Sequence, residues 1–119
     1  AMRENLIESK SMAFAIQIVR LYQDLTAEQR EYVLSKQLLR SGTSIGANIR
    51  EAVQGFSRKD FVYKMNIALK ECSETLYWLE LLHETDYLSD EAYQRISSEA
   101  MDLLKLLTSI VKTAKQTLS

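Results

Sequence analysis

Apolar residues return along this chain at intervals of three and four, the period of a helix that buries one side. The clearest run lies near the end. Ile96, Ala100, Leu103, Leu107, Ile110 and Ala114 form a single coiled-coil-like seam, widened by one position through Leu104, Val111 and Leu118. Phe61, Met65, Ala68, Cys72, Thr75, Leu79 and Leu82 make another at the same spacing. Near the start, Leu6, Ile7, Phe14, Ile18, Leu21 and Leu25 give a broad apolar stripe. Four helices follow from these patterns and their end signals. The first spans about Arg3 to Asp24. Thr26, three residues before Gln29, has the form of a capping box and starts the second near Ala27. That helix runs to about Gln54, with Gly55 as its stop. Ser57 and Asp60 cap a third helix that reaches about Glu84. A loop from Thr85 to Ser89 leads to the fourth, capped by Ser89 or Asp90 and ending near Leu118. Connections this short make neighbouring helices antiparallel.

The stretch from Ser41 to Ala52 departs from ordinary helical composition. Gly42, Thr43, Ser44, Gly46 and Asn48 are poor helix formers, by a few tenths to about 1 kcal/mol each relative to Ala. Yet Leu34, Leu38, Ile45, Ile49 and Ala52 keep helical spacing straight across it. One continuous helix carrying a run of small side chains is expected. Gly42 and Gly46 share a face there and let another helix come close.

The third helix carries more apolar surface than one bundle needs. Ile67, Glu71, Glu74, Trp78 and Leu81 form a second stripe on another of its sides, and Tyr63 and Tyr77 add to it. A second stripe calls for a cover from outside the monomer, so these five residues are candidates for an interface with further copies of the chain.

Composition supports the helical reading. The 119 residues suffice for one domain over residues 1–119, and they include no proline and only three glycines, all between Gly42 and Gly55. No apolar run approaches the roughly 18 residues of a membrane span, and the start is charged at Arg3, Glu4 and Glu8. A soluble cytoplasmic protein without a membrane partner is expected. Ala1 ahead of Met2 reads as a cloning remnant. Total charge is close to zero but unevenly spread. Residues 36–70 hold seven basic and two acidic side chains, a net +5, while residues 71–119 hold four and nine, a net −5. Lys36, Arg40, Arg50, Arg58, Lys59 and Lys64 are therefore candidates for contact with RNA or DNA. The simpler account of the asymmetry is that oppositely charged segments pack side by side.

Candidate chemistry is sparse. Glu80 and His83 have the Glu-x-x-His spacing of di-iron bundles, but a working site needs a second such pair, and His83 is the only histidine. Cys72 is the only cysteine and sits on a core seam, where it reads as a small hydrophobe. No catalytic residue, metal ligand or cofactor is expected. Asn48 with Glu51, and Glu71 with Glu74, are pairs spaced three apart on adjacent helices. The plainer account of them is a polar layer that sets helix register, and a ligand site is the alternative. In height along the bundle, Arg40 or Ser41 suits the second pair better than Asn48 or Glu51 does, and a partner from a neighbouring subunit fits Glu71 and Glu74 equally, since both lie on the second stripe.

Several of these residues together carry a family resemblance. Gln37-Leu38-Leu39-Arg40-Ser41, Ser44-Ile45, Asn48-Ile49-x-Glu51, Ser57-x-x-Asp60-Phe61 and Ala68-Leu69-Lys70-Glu71, with Glu74 and Trp78-Leu79, resemble the bacterial four helix bundle protein family. That family takes its other name from proteins encoded in intervening sequences of 23S ribosomal RNA genes. The chain is also similar to the accessory variability proteins of diversity-generating retroelements. It departs at Arg50-Glu51-Ala52, where Ala-Glu-Gly is common, and at Thr26, near a usual proline. The resemblance implies an all-α, antiparallel up-down-up-down four-helix bundle that assembles into a ring-shaped homopentamer. It also implies the absence of catalytic residues. The retroelement relatives act with a reverse transcriptase and RNA, which brings nucleic acid into view as a partner. Two functions follow: a non-enzymatic scaffold or adaptor ring, and an RNA- or DNA-binding protein working through the basic segment.

Overall fold

The computed structural model describes residues 2–118, so Ala1 lies outside the described residues. Four helices account for nearly all of it: α1 (Met2–Ala27), α2 (Leu34–Gln54), α3 (Arg58–Glu84) and α4 (Asp90–Gln116). They form an antiparallel up-down-up-down bundle of 48 × 21 × 20 Å. Sequential helices pack closely, whereas α1 and α4 meet more thinly along the closing seam. An Arg3 Nη2 donor 2.6 Å from Ser109 Oγ ties the start of α1 to the far end of α4. The α2–α3 turn lies at that same end of the bundle.

The seams read from spacing are the core. All seven residues of the α3 seam and all six of the α4 seam are buried. On α1 the buried positions are Ile7, Ser11, Phe14, Ile18 and Leu25, while Leu6 points outward and is exposed. Leu118, counted with the α4 stripe from its spacing, is also exposed. The α2 helix is continuous through its run of small residues, burying Leu38, Ser41, Gly42, Ile45, Ile49 and Ala52. An alanine Cβ at Gly42 would come within 2.9 Å of two Ile18 carbons on α1. One at Gly46 would meet only Ser11, at 3.4 Å. The small face of α2 therefore seats α1.

Helix ends follow local chemistry, with one departure from expectation. Ser57 Oγ accepts the Asp60 backbone N–H at 3.0 Å, and Ser89 Oγ accepts that of Ala92 at 3.1 Å. Thr26, by contrast, caps nothing. Its hydroxyl lies 2.9 Å from the Tyr22 carbonyl, as in a helix interior, and α1 continues to Ala27. The start of α2 moves to Leu34, and its cap is Glu31. Oε1 of that buried carboxylate accepts the N–H groups of Val33 at 3.0 Å and Leu34 at 2.8 Å, and Oε2 accepts that of Ser35 at 2.7 Å. Three of the otherwise orphaned donors at a helix start are satisfied by one side chain. Burial pushes the Glu31 carboxyl up, but the Leu34, Ser35 and Val33 amides together outweigh it and hold the pKa below its ordinary value. The two left-handed turn positions are Arg30, φ 55°, and Asp86, φ 69°, with no glycine at either. At Asp86 the chain closes α3 by Tyr87 N–H to Leu82 O at 2.9 Å and Asp86 N–H to His83 O at 3.1 Å. Gly55 ends α2 where expected, but with extended backbone.

Two stability measurements follow from this packing. Glu31→Ala should cost about 1–2 kcal/mol through loss of the cap. Because the folded pKa lies below the unfolded one, that stabilisation is complete above the ordinary glutamate range, about 4.3. It is lost as pH falls through the folded value. Urea midpoints of the wild type and the variant should differ at neutral pH and converge in strong acid. The two helix glycines should separate as well. Either change to alanine gains up to about 1 kcal/mol of helix propensity, but Gly42→Ala must also displace Ile18, at about 1–3 kcal/mol for overpacking. Thermal melts should show Gly42→Ala destabilised and Gly46→Ala unchanged or stabilised. Equal shifts would contradict the α1–α2 contact.

Candidate functional site

Between α2 and α3 the two hydroxyls of Ser41 and Thr75 lie 3.0 Å apart, both fully buried. Just outside them Arg40 reaches across to α3. Its Nη1 lies 3.0 Å from Glu71 Oε2, and its Nη2 pairs with Glu74. Trp78 Nε1 donates to the same Glu74 oxygen at 2.9 Å. The indole hydrogen bond, with help from Arg40, holds the Glu74 carboxyl below its ordinary pKa despite partial burial. The pair with Glu74 in turn raises that of Arg40. Together these contacts form a polar layer between α2 and α3. Asn48 turns back to the Ser44 carbonyl at 2.8 Å, and Glu51 pairs with Lys64 at 3.0 Å. The two pairs of residues spaced three apart therefore serve different contacts.

The five interface candidates are all half-buried within the monomer. Glu71, Glu74 and Trp78 belong to the polar layer, and Ile67 and Leu81 flank it. The exposed apolar part of α3 lies beside them, at Tyr63 and Tyr77. A stronger signal comes from α1. Met12, Ile16 and Val19 are 45%, 46% and 38% exposed, three large apolar side chains on one face. Met12 borders a groove of about 430 Å³ between α1 and α2 that Ser11, Ala15, Gly46 and Ala47 also line, while Ile16 and Val19 line a second, more open one with Met12 and Ala15. Sequence reading passed over them because the core seam of the same helix absorbed the apolar count. The four-three spacing of Met12, Ile16 and Val19, parallel to that seam, was the available sign.

The six basic candidates divide. Arg40 and Lys64 are engaged in ion pairs. Lys36 is exposed toward the other half of the bundle. Arg50, Arg58 and Lys59 stand exposed around the α2–α3 turn, with Arg58 over the Phe61 ring at 5.2 Å. Phe56 stands at the tip of that turn, fully exposed. No periodic pattern contains it, so it escaped notice. Charge is segregated along the whole bundle. The half built from residues 2–14, 44–70 and 104–118 carries ten basic and four acidic side chains; the other described half carries five and twelve.

Chemistry at the remaining candidates is structural. His83 Nε2 lies 2.7 Å from Asp90 Oδ1, and its ring stacks on Tyr93 at 4.3 Å, so it braces the α3–α4 turn. No group of three His, Cys, Asp or Glu able to hold a metal occurs among the described residues. Cys72 is buried, its Sγ donates to the Ala100 carbonyl at 3.2 Å, and burial pushes its thiol up to about 12. A thiol held so far from ionisation is no nucleophile at neutral pH. Among the described residues no helix is long and apolar enough to cross a membrane.

Known proteins place this architecture. The family described as 23S rRNA-intervening sequence protein matches residues 3–109. A solved structure from Bacteroides thetaiotaomicron VPI-5482 is 56% identical and superposes with a TM-score of 0.91. The match covers 92% of this chain and 98% of that one, which is described as a protein with unknown function from the S23 ribosomal protein family. No curated protein matches the chain.

Proposed function

The chain belongs to the 23S rRNA-intervening sequence protein family, and on that footing we propose that it is a non-enzymatic scaffold that assembles with copies of itself into a ring. The observation that carries this reading is the exposed stripe of Met12, Ile16 and Val19 on a helix whose opposite side already fills the core. A solitary bundle has no use for it. Leaving three large apolar side chains in water forgoes about 25 cal/mol for every Å² that a partner would cover. A ring of five is the number the family resemblance implies. The chemistry agrees: the carboxylates, the histidine and the cysteine described above are engaged in packing and ion pairs, leaving no nucleophile beside a base.

A second reading rests on the α2–α3 turn. The turn carries the exposed Phe56 ring, and Arg50, Arg58 and Lys59 are exposed on the helix ends that flank it; an aromatic with cations nearby suits a single-stranded nucleic acid, with a base stacked and phosphates neutralised. In a ring of parallel subunits all these turns share one rim, so a modest patch would be multiplied.

Each reading has its measurement. Light scattering at micromolar concentration should report several copies per particle, and Ile16→Glu should leave a helical species of lower order. A wild-type monomer would end the scaffold reading. For nucleic acid, log affinity for RNA should fall against log salt by about 0.7 per phosphate contacted on a single strand. Arg58→Glu with Lys59→Glu should flatten that slope, and Phe56→Ala should weaken single-strand binding by about 1–3 kcal/mol. No retention in a gel-shift titration at ~0.15 M salt would remove the second reading.

A further inference from the structure

The two tips of the bundle are opposite in charge. At one tip the start of α1, the start of α3 and the end of α4 come together, since Arg3, Arg58, Thr113 and Thr117 line one cavity there. Residues 2–4, 54–59 and 112–118 form this tip and carry five basic side chains and one acidic. At the other tip, Gln29 Nε2 donates to the Tyr87 carbonyl at 2.8 Å and ties the α1–α2 and α3–α4 connections into one surface. Residues 28–33 and 84–91 form it and carry six acidic side chains and one basic. Glu31 is turned inward as the α2 cap; Glu28, Glu84, Asp86, Asp90 and Glu91 are exposed. One turn further in, the charges cancel at both tips: Arg50 and Lys64 against Glu51 and Asp60, and Lys36 and Arg95 against Asp24 and Glu80. The tips keep their signs.

Each tip also carries apolar groups that the bundle leaves uncovered. Phe56 at the basic tip and Val33 at the acidic one are, with Met2, the most exposed large apolar side chains among the described residues. Tyr32 is exposed next to Val33 in sequence. Acidic residues alone would name no partner, but here the complementary surface is borne by the same molecule. Like tips brought together would set cation against cation or acid against acid, which costs several kcal/mol at an interface. Unlike tips attract, and each offers the other apolar groups to cover. Area sets the strength. A tip of 21 × 20 Å presents about 400 Å², half of the roughly 800 Å² per partner in a stable interface. Single bundles would hold each other only briefly, whereas parallel subunits of one scaffold present several tips at once and multiply the contact.

We infer that the basic tips of one assembly dock on the acidic tips of the next, so that scaffolds stack head to tail along the bundle axis. This rests on the self-assembling scaffold proposed above, with its subunits parallel, and uses the ends of the molecule rather than its sides. The contact is heterologous and repeats by translation, so it builds open stacks with a step close to the 48 Å bundle length. Exposed charges carry it, and salt screens them: the Debye length falls from about 30 Å at ~0.01 M to about 3 Å at ~1 M. Stacks therefore form in dilute salt and come apart in concentrated salt.

Sedimentation velocity on nuclease-treated protein tests this. The wild type should run as particles of two or more times the single-scaffold mass at ~0.01 M salt, and as single scaffolds at ~1 M. Glu28→Lys/Glu84→Lys discharges the acidic tip, and Arg58→Glu/Lys59→Glu discharges the basic one. The new lysines fall at C-terminal helix ends and the new glutamates in a first turn, where helix dipoles favour them, so the fold should persist, as circular dichroism would verify. Either variant should run as single scaffolds at both salts. Lys105→Glu, an exposed change away from both tips, should leave the stacks intact. A wild-type mass that is the same at both salts would overturn the inference and leave the scaffold standing. So would stacks that survive in either tip variant, or that Lys105→Glu abolishes as fully. Stacks seen only before nuclease treatment would mean bridging by nucleic acid, which also overturns it. A wild type that is monomeric at ~1 M removes the scaffold and the stack together.

Discussion

Ile18 lies against Gly42 with no space between them for a methyl group, and the placement of the other helices is tied to that contact. Close approach of α1 requires a face of α2 without side chains, which Gly42 and Gly46 provide at the cost of helix propensity. With α1 seated there, α2 turns its Ser41 side to α3. The hydroxyl of Thr75 meets Ser41, and Arg40 reaches Glu71 and Glu74 just outside. A helix with small residues on one side and a polar layer on another has its rotation set from both directions. Hydrophobic seams alone would tolerate a slip of one turn, because leucines and isoleucines repeat at that interval. The ion-paired layer of Arg40, Glu71 and Glu74 does not repeat, and it distinguishes one register from the rest.

Burial is divided unevenly among the four helices. The α2 and α4 helices are cleanly two-sided, apolar toward the core and polar toward water. The α1 and α3 helices are apolar on more than one side, and they are the diagonal members of the bundle. Extra apolar surface is thus left exposed on two opposite corners, which is the observation behind the proposed self-assembly. Charge is also segregated along the bundle. This leaves one end of the molecule basic, with Phe56 exposed on the turn there. Shape and charge thus bear on both proposed roles through the same few residues.

Much of this was legible in the residues themselves. The four helices, their antiparallel order, the α3 and α4 seams, the continuity of α2 across its glycines and the Ser57 cap all follow from periodicity and local hydrogen-bonding chemistry, which depend on neighbours within a turn. Helix rise put Arg40 or Ser41 at the height of Glu71 and Glu74, but a partner from a neighbouring copy was equally open, and packing gave them Arg40. The family block from Gln37 to Glu51 added the bundle topology. What tertiary structure decided lies where distant parts of the chain compete for the same group. Thr26 has the sequence of a cap, but the carbonyl of Tyr22 claims its hydroxyl, and Glu31 becomes the cap because three amides converge on it after the turn is made. Exposure is likewise not a property of spacing. Leu6 and Ile7 adjoin each other in sequence, yet only Ile7 faces α1's neighbours, and Met12, Ile16 and Val19 became a surface only once Phe14 and Ile18 had taken the core. A stripe can be counted along one helix, but which of two stripes is left for a partner depends on where the other three helices lie.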